Sequence, residues 1–273
     1  MPGSYLSESS TALHALHMAT AKSCEVLFSP AEFMALQKRD LSRAVCVVFD
    51  TLRATTSMTF ALANGAAAVL PVNDIPDALA LRVKFPEALL AGERHGIRIG
   101  ADLTCGVEFD LGNSPPDFTP SKVAGRKIIM TTTNGTRALQ ACAGAKQVFI
   151  GSFPNLTATA NAVLASEPEQ LFLVCAGTYE EAAYEDTLAA GAMAELVEGF
   201  FGEANTADSV AVARNLWLGA KADLAGAIRH SRNGRRLLAH PDLKGDVAVC
   251  LQRDTAPIVA TMVEGAVRIL RTT

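Results

Sequence analysis

Apolar runs of strand length recur along the chain, and each breaks into a polar turn that opens a stretch of helix-forming residues. Cys24 to Phe28 predicts a first strand stopped by Pro30, with a short helix over Ala31 to Lys38. The run Ala44-Val-Cys-Val-Val-Phe49 has no polar interruption, as expected of a strand buried on both faces. A helix pattern over Ala54 to Ala63 follows, Asn64-Gly65 stops it, and Ala67 to Val72 supplies the next strand, completing a βαβ unit. A second unit runs from the strand Lys127 to Met130 through a helix around Thr136 to Cys142, a stop at Gly144 and the strand Gln147 to Ile150. A third begins with Gln170 to Ala176, turns at Gly177, and enters a helical stretch from Ala183 to Phe201. This alternation predicts an α/β fold of three layers, α/β/α, around a largely parallel or mixed sheet. Residues 1 to 23 lack the pattern and read as an N-terminal extension to an α/β domain over residues 24 to 273, in one body or two lobes.

Two of the strand-to-helix turns share a composition. Asp50-Thr-Leu-Arg53-Ala-Thr55-Thr56-Ser follows the first buried strand, and Thr131-Thr132-Thr133-Asn134-Gly135-Thr136-Arg137 follows Met130. Helix N-termini favour negative charge, because their first N–H groups are unpaired and the positive end of the helix dipole lies there. Thr and Ser add short hydroxyl donors, and arginine adds a fork that binds phosphate, sulfonate or carboxylate through two parallel hydrogen bonds. The same residue types also cap helices without binding anything. The repeat of hydroxyls with arginine points instead to a cradle for a small, strongly anionic ligand. In open parallel sheets ligands bind beyond the carboxyl ends of the strands, so the turns are expected to form one composite site.

Between the first two units lies a segment rich in glycine and charge, Gly92-Glu93-Arg94-His95-Gly96, then Gly106 and Glu108 to Pro115. It suits a functional loop in which Arg94 is another anion ligand, while His95 reads as a surface group. The third turn is acidic, with Glu180, Glu181, Glu185 and Asp186. Glu180 and Glu181 suit the first turn of a helix. Glu185 and Asp186 stand beside small apolar residues and, with Asp50, suggest an oxygen-ligand site for Mg²⁺.

Composition narrows the class. The 273 residues are 49% hydrophobic with net charge −4 and no basic block, which argues against a nucleic-acid partner. No segment reaches the ~20 apolar residues that span a bilayer, and the first ten residues lack a signal-peptide pattern, so a cytoplasmic, non-membrane protein is expected. The six cysteines form no C-x-x-C pair, and none has the arginine six residues on that a cysteine phosphatase needs. The five histidines form no zinc motif. The alanine-rich stretch Leu188 to Ala194 suits packing on the core or in a homo-oligomer.

Asp50-Thr-Leu-Arg-Ala-Thr-Thr, Gly92-Glu-Arg, Leu111-Gly-Asn113-Ser114-Pro, Thr131-Thr-Thr-Asn-Gly-Thr-Arg137, and Glu185-Asp186 followed by Ala190-Gly191 resemble, in order, the motifs of the 2-phosphosulfolactate phosphatases, the ComB type. The resemblance covers about residues 24 to 262 and includes Ser231-Arg-Asn-Gly234, Gly245-Asp246, Cys250 and Asp254 to Pro257. One departure is Asn233, where a histidine is expected before the glycine. The resemblance implies a ComB-like fold and a Mg²⁺-dependent enzyme that hydrolyses 2-phospho-3-sulfolactate to 3-sulfolactate and phosphate, a step of coenzyme M biosynthesis.

The expected mechanism is metal-assisted hydrolysis of a phosphate monoester. Asp50 with Glu185 or Asp186 would hold the metal, Arg53, Arg137 and the backbone amides after Thr133 would stabilise the transferring oxygens, and Arg94 and Asn113 would grip sulfonate or carboxylate. Thr55, Thr56, Glu93, Ser114, Thr132, Thr133, Asn134, Gly135 and Thr136 complete the expected substrate contacts. Asp50 follows its strand as an aspartyl-phosphate nucleophile does, but position 52 is leucine where those enzymes carry a second aspartate, which favours attack by water. Two alternatives stay open: a phosphatase of another small phosphorylated hydroxy acid, and a non-catalytic binder of small anions.

Overall fold

Val45, Val47 and Phe49 face one side of strand β2 (Ala44–Phe49), Ala44, Cys46 and Val48 face the other, and all six are buried. A strand apolar at every position can only lie inside a sheet covered on both faces. The computed structural model, which describes residues 22–202 and 205–270, shows such a sheet, of ten strands. The extension expected over residues 1 to 23 falls outside the described residues except for Lys22 and Ser23.

The remaining strands are β1 (Ser23–Leu27), β3 (Ala68–Pro71), β4 (Leu89–Arg94), β5 (Ile97–Arg98), β6 (Lys127–Thr131), β7 (Gln147–Gly151), β8 (Gln170–Cys175), β9 (Ala260–Val263) and β10 (Ala266–Ile269). Their order across the sheet is β1-β8-β2-β7-β9-β10-β3-β6-β4-β5. β1, β8, β2 and β7 pair in parallel, as do β3, β6 and β4, and the antiparallel hairpin β9-β10 joins the two groups. The sheet is therefore mixed.

Helices cover both faces. On one lie α1 (Pro30–Ala35), α2 (Ala54–Ala63) and, further along the chain, α5 (Gly135–Ala141); Phe33, Met58, Leu62 and Leu139 pack there with Cys46, Val48, Ile128 and Met130. The other is covered by α6 (Leu156–Ala165), α7 (Tyr184–Leu196) and α8 (Asp208–Ala220), which bury Leu156, Leu188 and Trp217 with Val47, Phe49 and Leu173. The remaining helices are α3 (Ile75–Lys84), α4 (Pro120–Val123), α9 (Leu224–Ile228), α10 (Arg232–Ala239) and α11 (Lys244–Cys250). None of the helices described is long and apolar enough to cross a membrane.

Two features differ from the sequence expectation, and a third falls within it. The segment expected to be a loop at Gly92 to Gly96 is the β4-β5 hairpin, with Glu93 paired to Arg98 and Arg94 to Ile97 and His95 exposed at its tip with φ 56°. The long helix stops at Leu196, before Gly199 turns the chain with φ 85°. The alanine-rich face of α7 packs within the chain: a Cβ on Gly191 would lie 2.1 Å from the Ala213 carbonyl oxygen of α8, so the two helices touch backbone to backbone.

Hydrogen-bond directions make the two parallel groups run opposite ways, which alone would put the turns after β2 and β6 at opposite edges. The two turns nonetheless meet: a Cβ built on Gly135, which opens α5 after β6, would lie 2.7 Å from Asp50 Oδ2 at the end of β2.

Candidate active site

Asp50 leaves the end of β2 and turns back on the helix it precedes. Ala54 N–H donates to Asp50 Oδ1 at 3.1 Å, and the Asp50 N–H donates to Thr55 Oγ1 at 3.0 Å. The neighbouring donor, Thr51 N–H, goes to Asp186 Oδ1 at 2.8 Å, and Gly177 N–H goes to Asp186 Oδ2 at 3.1 Å. The second turn is filled the same way. Thr133 donates its N–H and its hydroxyl to Glu93 Oε1 at 3.0 and 2.9 Å, and Glu93 Oε2 accepts from Gly96 N–H at 2.6 Å.

The turns expected to cradle a ligand anion thus hold the protein's own carboxylates. The physics read from the sequence still applies, since unpaired N–H groups stabilise negative charge; the charge is supplied by Asp50, Asp186 and Glu93. Three buried acids are thereby fixed around one place. Glu93, expected to contact substrate, ties Thr133 to Gly96, and both oxygens of Asp186, expected on a metal, are engaged by backbone.

Asp50, Arg53, Glu93, Asn113, Thr133 and Asn134 line a single narrow polar cleft of about 20 Å³, room for about one water molecule. Glu185 stands behind it: its Oε1 accepts from Asn233 Nδ2 at 2.5 Å, and its Oε2 is buried without a partner. Burial, and then the charges of Glu93 and Glu185, push the Asp50 carboxyl up to about 7 against the pull of Ala54 N–H and Arg53. Burial and the charges of Asp50 and Glu185 also hold Asp186 well above the usual carboxylate range.

A divalent cation fits this donor set. Among the described residues no three His, Cys, Asp or Glu side chains are gathered into a metal cluster, but Mg²⁺ takes one or two carboxylates and fills its other positions with water or phosphate oxygens. Asp50 Oδ2 accepts no hydrogen bond among the described residues, and Glu185 Oε2 is an orphan. An orphaned carboxylate oxygen in a group of mutually repelling buried acids is what a cation would satisfy.

The arginines divide. Arg53, 3% exposed, is held from two sides: Nη1 donates to Asp246 Oδ2 at 2.5 Å and Nη2 to the Gly96 carbonyl at 2.6 Å. Arg94 donates to the Glu93 carbonyl and to Thr131 Oγ1, and Arg137 pairs with exposed Glu180 at 3.0 Å; both lie off the cleft lining, contrary to expectation. The hydroxyls of Thr56, Thr136 and Ser114 also turn inward, to the Thr51 carbonyl, the Thr132 carbonyl and Asp246 Oδ1. Thr132 Oγ1 is buried and unpartnered, and Gly135 packs against Asp50, where a side chain would not fit.

Sequence reasoning missed three contributors. Asn233 and Arg236 of α10 reach the cleft, and Asp246 of α11 fixes Arg53. Asn233 occupies the position where a histidine was expected; its Nδ2 lies 2.6 Å from Thr178 Oγ1 and 2.5 Å from Glu185 Oε1, so the loop belongs to the site. The available signal was spacing: Ser231 caps α10 by accepting from Gly234 N–H, and residues three apart on the helix share a face.

Residues 32–265 match the family model of 2-phosphosulpholactate phosphatase. A probable 2-phosphosulfolactate phosphatase of Prochlorococcus marinus is 39% identical over 225 residues, covering 81% of this chain and 90% of the relative. One from Caldanaerobacter subterraneus is 36% identical over 240 residues, covering 86% and 95%, and one from Deinococcus radiodurans is 38% identical over 222 residues, covering 81% and 88%. With a mixed α/β sheet and a polar cleft where the turns after β2 and β6 meet, and with likeness running through nearly the whole length of these relatives, the chain belongs to the 2-phosphosulfolactate phosphatase family.

Proposed function

We propose that the protein hydrolyses the phosphate monoester of 2-phospho-3-sulfolactate, with Mg²⁺ held by Asp50 and Glu185. The observation that carries the reading is the pairing of buried acids, Asp50 and Glu93 in the cleft lining and Glu185 with its orphaned oxygen behind them, with a rigidly held arginine. When bound, the cation supplies Lewis-acid polarisation of the phosphoryl oxygens and orients water.

The chain's own residues do the rest. Arg53 cannot swing, because Asp246 and the Gly96 carbonyl hold two of its nitrogens, so its charge stays aimed at the cleft without reorganisation. Asn113 lines the cleft, where its Nδ2 hydrogens are the donors an anionic substrate group would take. Glu93 fixes Thr133 and Gly96 as walls, and Asp186 anchors the start of α2 to the turn after β8. Water oxygen bonds to phosphorus, the bond from phosphorus to the C2 oxygen breaks, and a water proton ends on that leaving oxygen. The enzyme acts in the cytoplasm on this reading, in keeping with six cysteines that are all unpaired.

The test is phosphate release from racemic phosphosulfolactate with Mg²⁺ and with EDTA, by the wild type and by Asp50→Asn. Mg²⁺-dependent release that disappears in the variant supports the proposal. Release indifferent to EDTA removes the metal, and binding without release turns the protein into an anion binder.

A further inference from the structure

The charge in the cleft is not evenly spread. Asp50 and Glu93 line one part, with Glu185 behind them, and the full charge of Arg53 is offset by Asp246 at 2.5 Å. Arg236 is different: it lines the same cleft, is exposed, and makes no ion pair or hydrogen bond among the described residues. It stands next to Gly96, where a built Cβ would lie 3.9 Å from Arg236 Nε and 3.9 Å from Arg53 Nη2, so the two guanidiniums flank one backbone position. A second depression adjoins at this wall, sharing Arg53, Gly96 and Asn113 with the cleft; Arg98 and Lys122 line it together with carboxylates of its own, Asp110 among them.

The placement is a product of the helix. Asn233 and Arg236 are three residues apart on α10, and Asn233 is locked by bonds to Thr178 Oγ1 and Glu185 Oε1. Buried Leu237 and the N-cap Ser231 fix the rotation of α10, which leaves Arg236 no choice but the cleft side. A phosphoryl group bound at the Asp50 and Glu185 end would meet Arg53. An ester carrying further negative charge needs a second cation, because a carboxylate or sulfonate entering unpaired beside buried acids is repelled and desolvated.

The geometry points to Arg236 as the residue that binds the anionic substituent of the substrate that is not transferred, the sulfonate or the carboxylate, and thereby sets specificity for multiply charged esters. The inference rests on the phosphatase reading for the identity of the substrate and on the cleft alone for the binding site. A freely placed guanidinium suits either group, since each accepts two parallel hydrogen bonds.

The test compares Arg236→Ala and Arg236→Lys with wild type on three esters: phosphosulfolactate, phospholactate, which lacks the sulfonate, and isopropyl phosphate, which lacks both groups. Arg236→Ala is expected to lower the ratio of kcat/KM for phosphosulfolactate over isopropyl phosphate by about 10- to 100-fold, with partial recovery in Arg236→Lys. An equal fall for phospholactate over isopropyl phosphate assigns the carboxylate; no fall there assigns the sulfonate. An unchanged ratio overturns the inference while leaving the phosphatase intact. Sulfolactate titrated into wild type and Arg236→Ala separates the two claims. If wild type releases no phosphate but binds sulfolactate about 10-fold or more tightly than the variant, the phosphatase reading falls and the anion site stands; equal affinity in the two proteins, or no binding to wild type, removes the site.

Discussion

Arg53 and Asp246, 193 residues apart in the chain, meet at 2.5 Å with both side chains buried, and this contact ties the first strand-to-helix turn to helix α11 near the C-terminus. Asp246 also accepts from Ser114 Oγ at 2.7 Å, so one carboxylate orders three segments around the cleft. Removing one partner of a buried pair leaves the other charge uncompensated, at a cost of about 3–5 kcal/mol. Asp246→Asn is therefore expected to lower stability by a few kcal/mol and kcat/KM by about 10- to 100-fold, because Arg53 loses its fixed aim. The double variant Arg53→Met with Asp246→Leu should regain most of the stability and none of the activity. Recovery of activity in that double variant, measured beside urea unfolding, would show that the pair matters only for folding.

Asp50→Asn separates function from stability in the opposite direction. Asp50 is pushed up to about 7 by burial and by Glu93 and Glu185, so removing its charge relieves repulsion while removing the carboxylate proposed to hold Mg²⁺. The expected result is loss of phosphate release by more than about 100-fold, an increase in the melting temperature of the EDTA-treated protein, and loss of the upward shift that Mg²⁺ gives the wild type. A variant still stabilised by Mg²⁺ to the wild-type extent would place the cation elsewhere.

Gly135 meets Asp50 across the two turns. A Cβ at position 135 would lie 2.7 Å from Asp50 Oδ2 and 2.7 Å from Ala54 Cβ, closer than side-chain atoms approach. Gly135→Ala should displace the Asp50 carboxylate, lowering kcat/KM by about 10-fold or more and stability by about 1–3 kcal/mol. Wild-type kinetics in this variant would mean that the Oδ2 position does not matter to the reaction.

The sequence carried the parts of this architecture that are local. The uninterrupted Ala44 to Phe49 run and the stops at Asn64-Gly65 and Gly144 made the strand-to-helix units readable, because burial and helix termination are written in neighbouring residues. Asp50, Arg53, Asn113, Thr133 and Asn134 were found for the same reason, and the structure lines one cleft with them. Two things were not legible. A run of free N–H groups attracts any anion, so the pattern could not tell a ligand phosphate from the carboxylates of Asp186 and Glu93, which come from 135 and 40 residues away. The hairpin β9-β10 inserted between the parallel groups, the Asp246 contact and the cleft face of α10 arise from long-range packing that no window of neighbours encodes.

Arg137 was expected on the transferring oxygens, and its surroundings indicate a lesser role. Its side chain is 36% exposed and its partner Glu180 is 70% exposed, and exposed pairs contribute about 0–1 kcal/mol. With Arg232 pairing to Glu181, it pins the turn between β8 and α7 rather than facing the cleft. Arg137→Ala is expected to change kcat/KM by less than about 3-fold, against more than about 100-fold for Arg53→Ala. Equal losses in the two variants would return Arg137 to the reaction centre.

The acids of the cleft also fix how stability responds to pH. Asp50 titrates at about 7 when folded but near 3.9 in an unfolded chain. Between those values the folded state keeps a proton that the unfolded state has released, so the stabilising contribution is fully present below about pH 4 and is lost as pH rises through about 7, by up to ~4 kcal/mol. Asp186, held above its usual range by the same burial and by Asp50 and Glu185, acts in the same direction. EDTA-treated wild type should therefore lose stability relative to Asp50→Asn as the buffer moves from about pH 5 to about pH 8. With Mg²⁺ held as proposed, the cation and the proton would compete for the same oxygens, so the rise in melting temperature given by Mg²⁺ should be small at the acid end and large at the alkaline end. Melting curves for both proteins at the two pH values, with EDTA and with Mg²⁺, check both statements. Parallel pH profiles for wild type and Asp50→Asn would mean that Asp50 is not strained by its neighbours, and the electrostatic case for a cation between Asp50 and Glu185 would go with it.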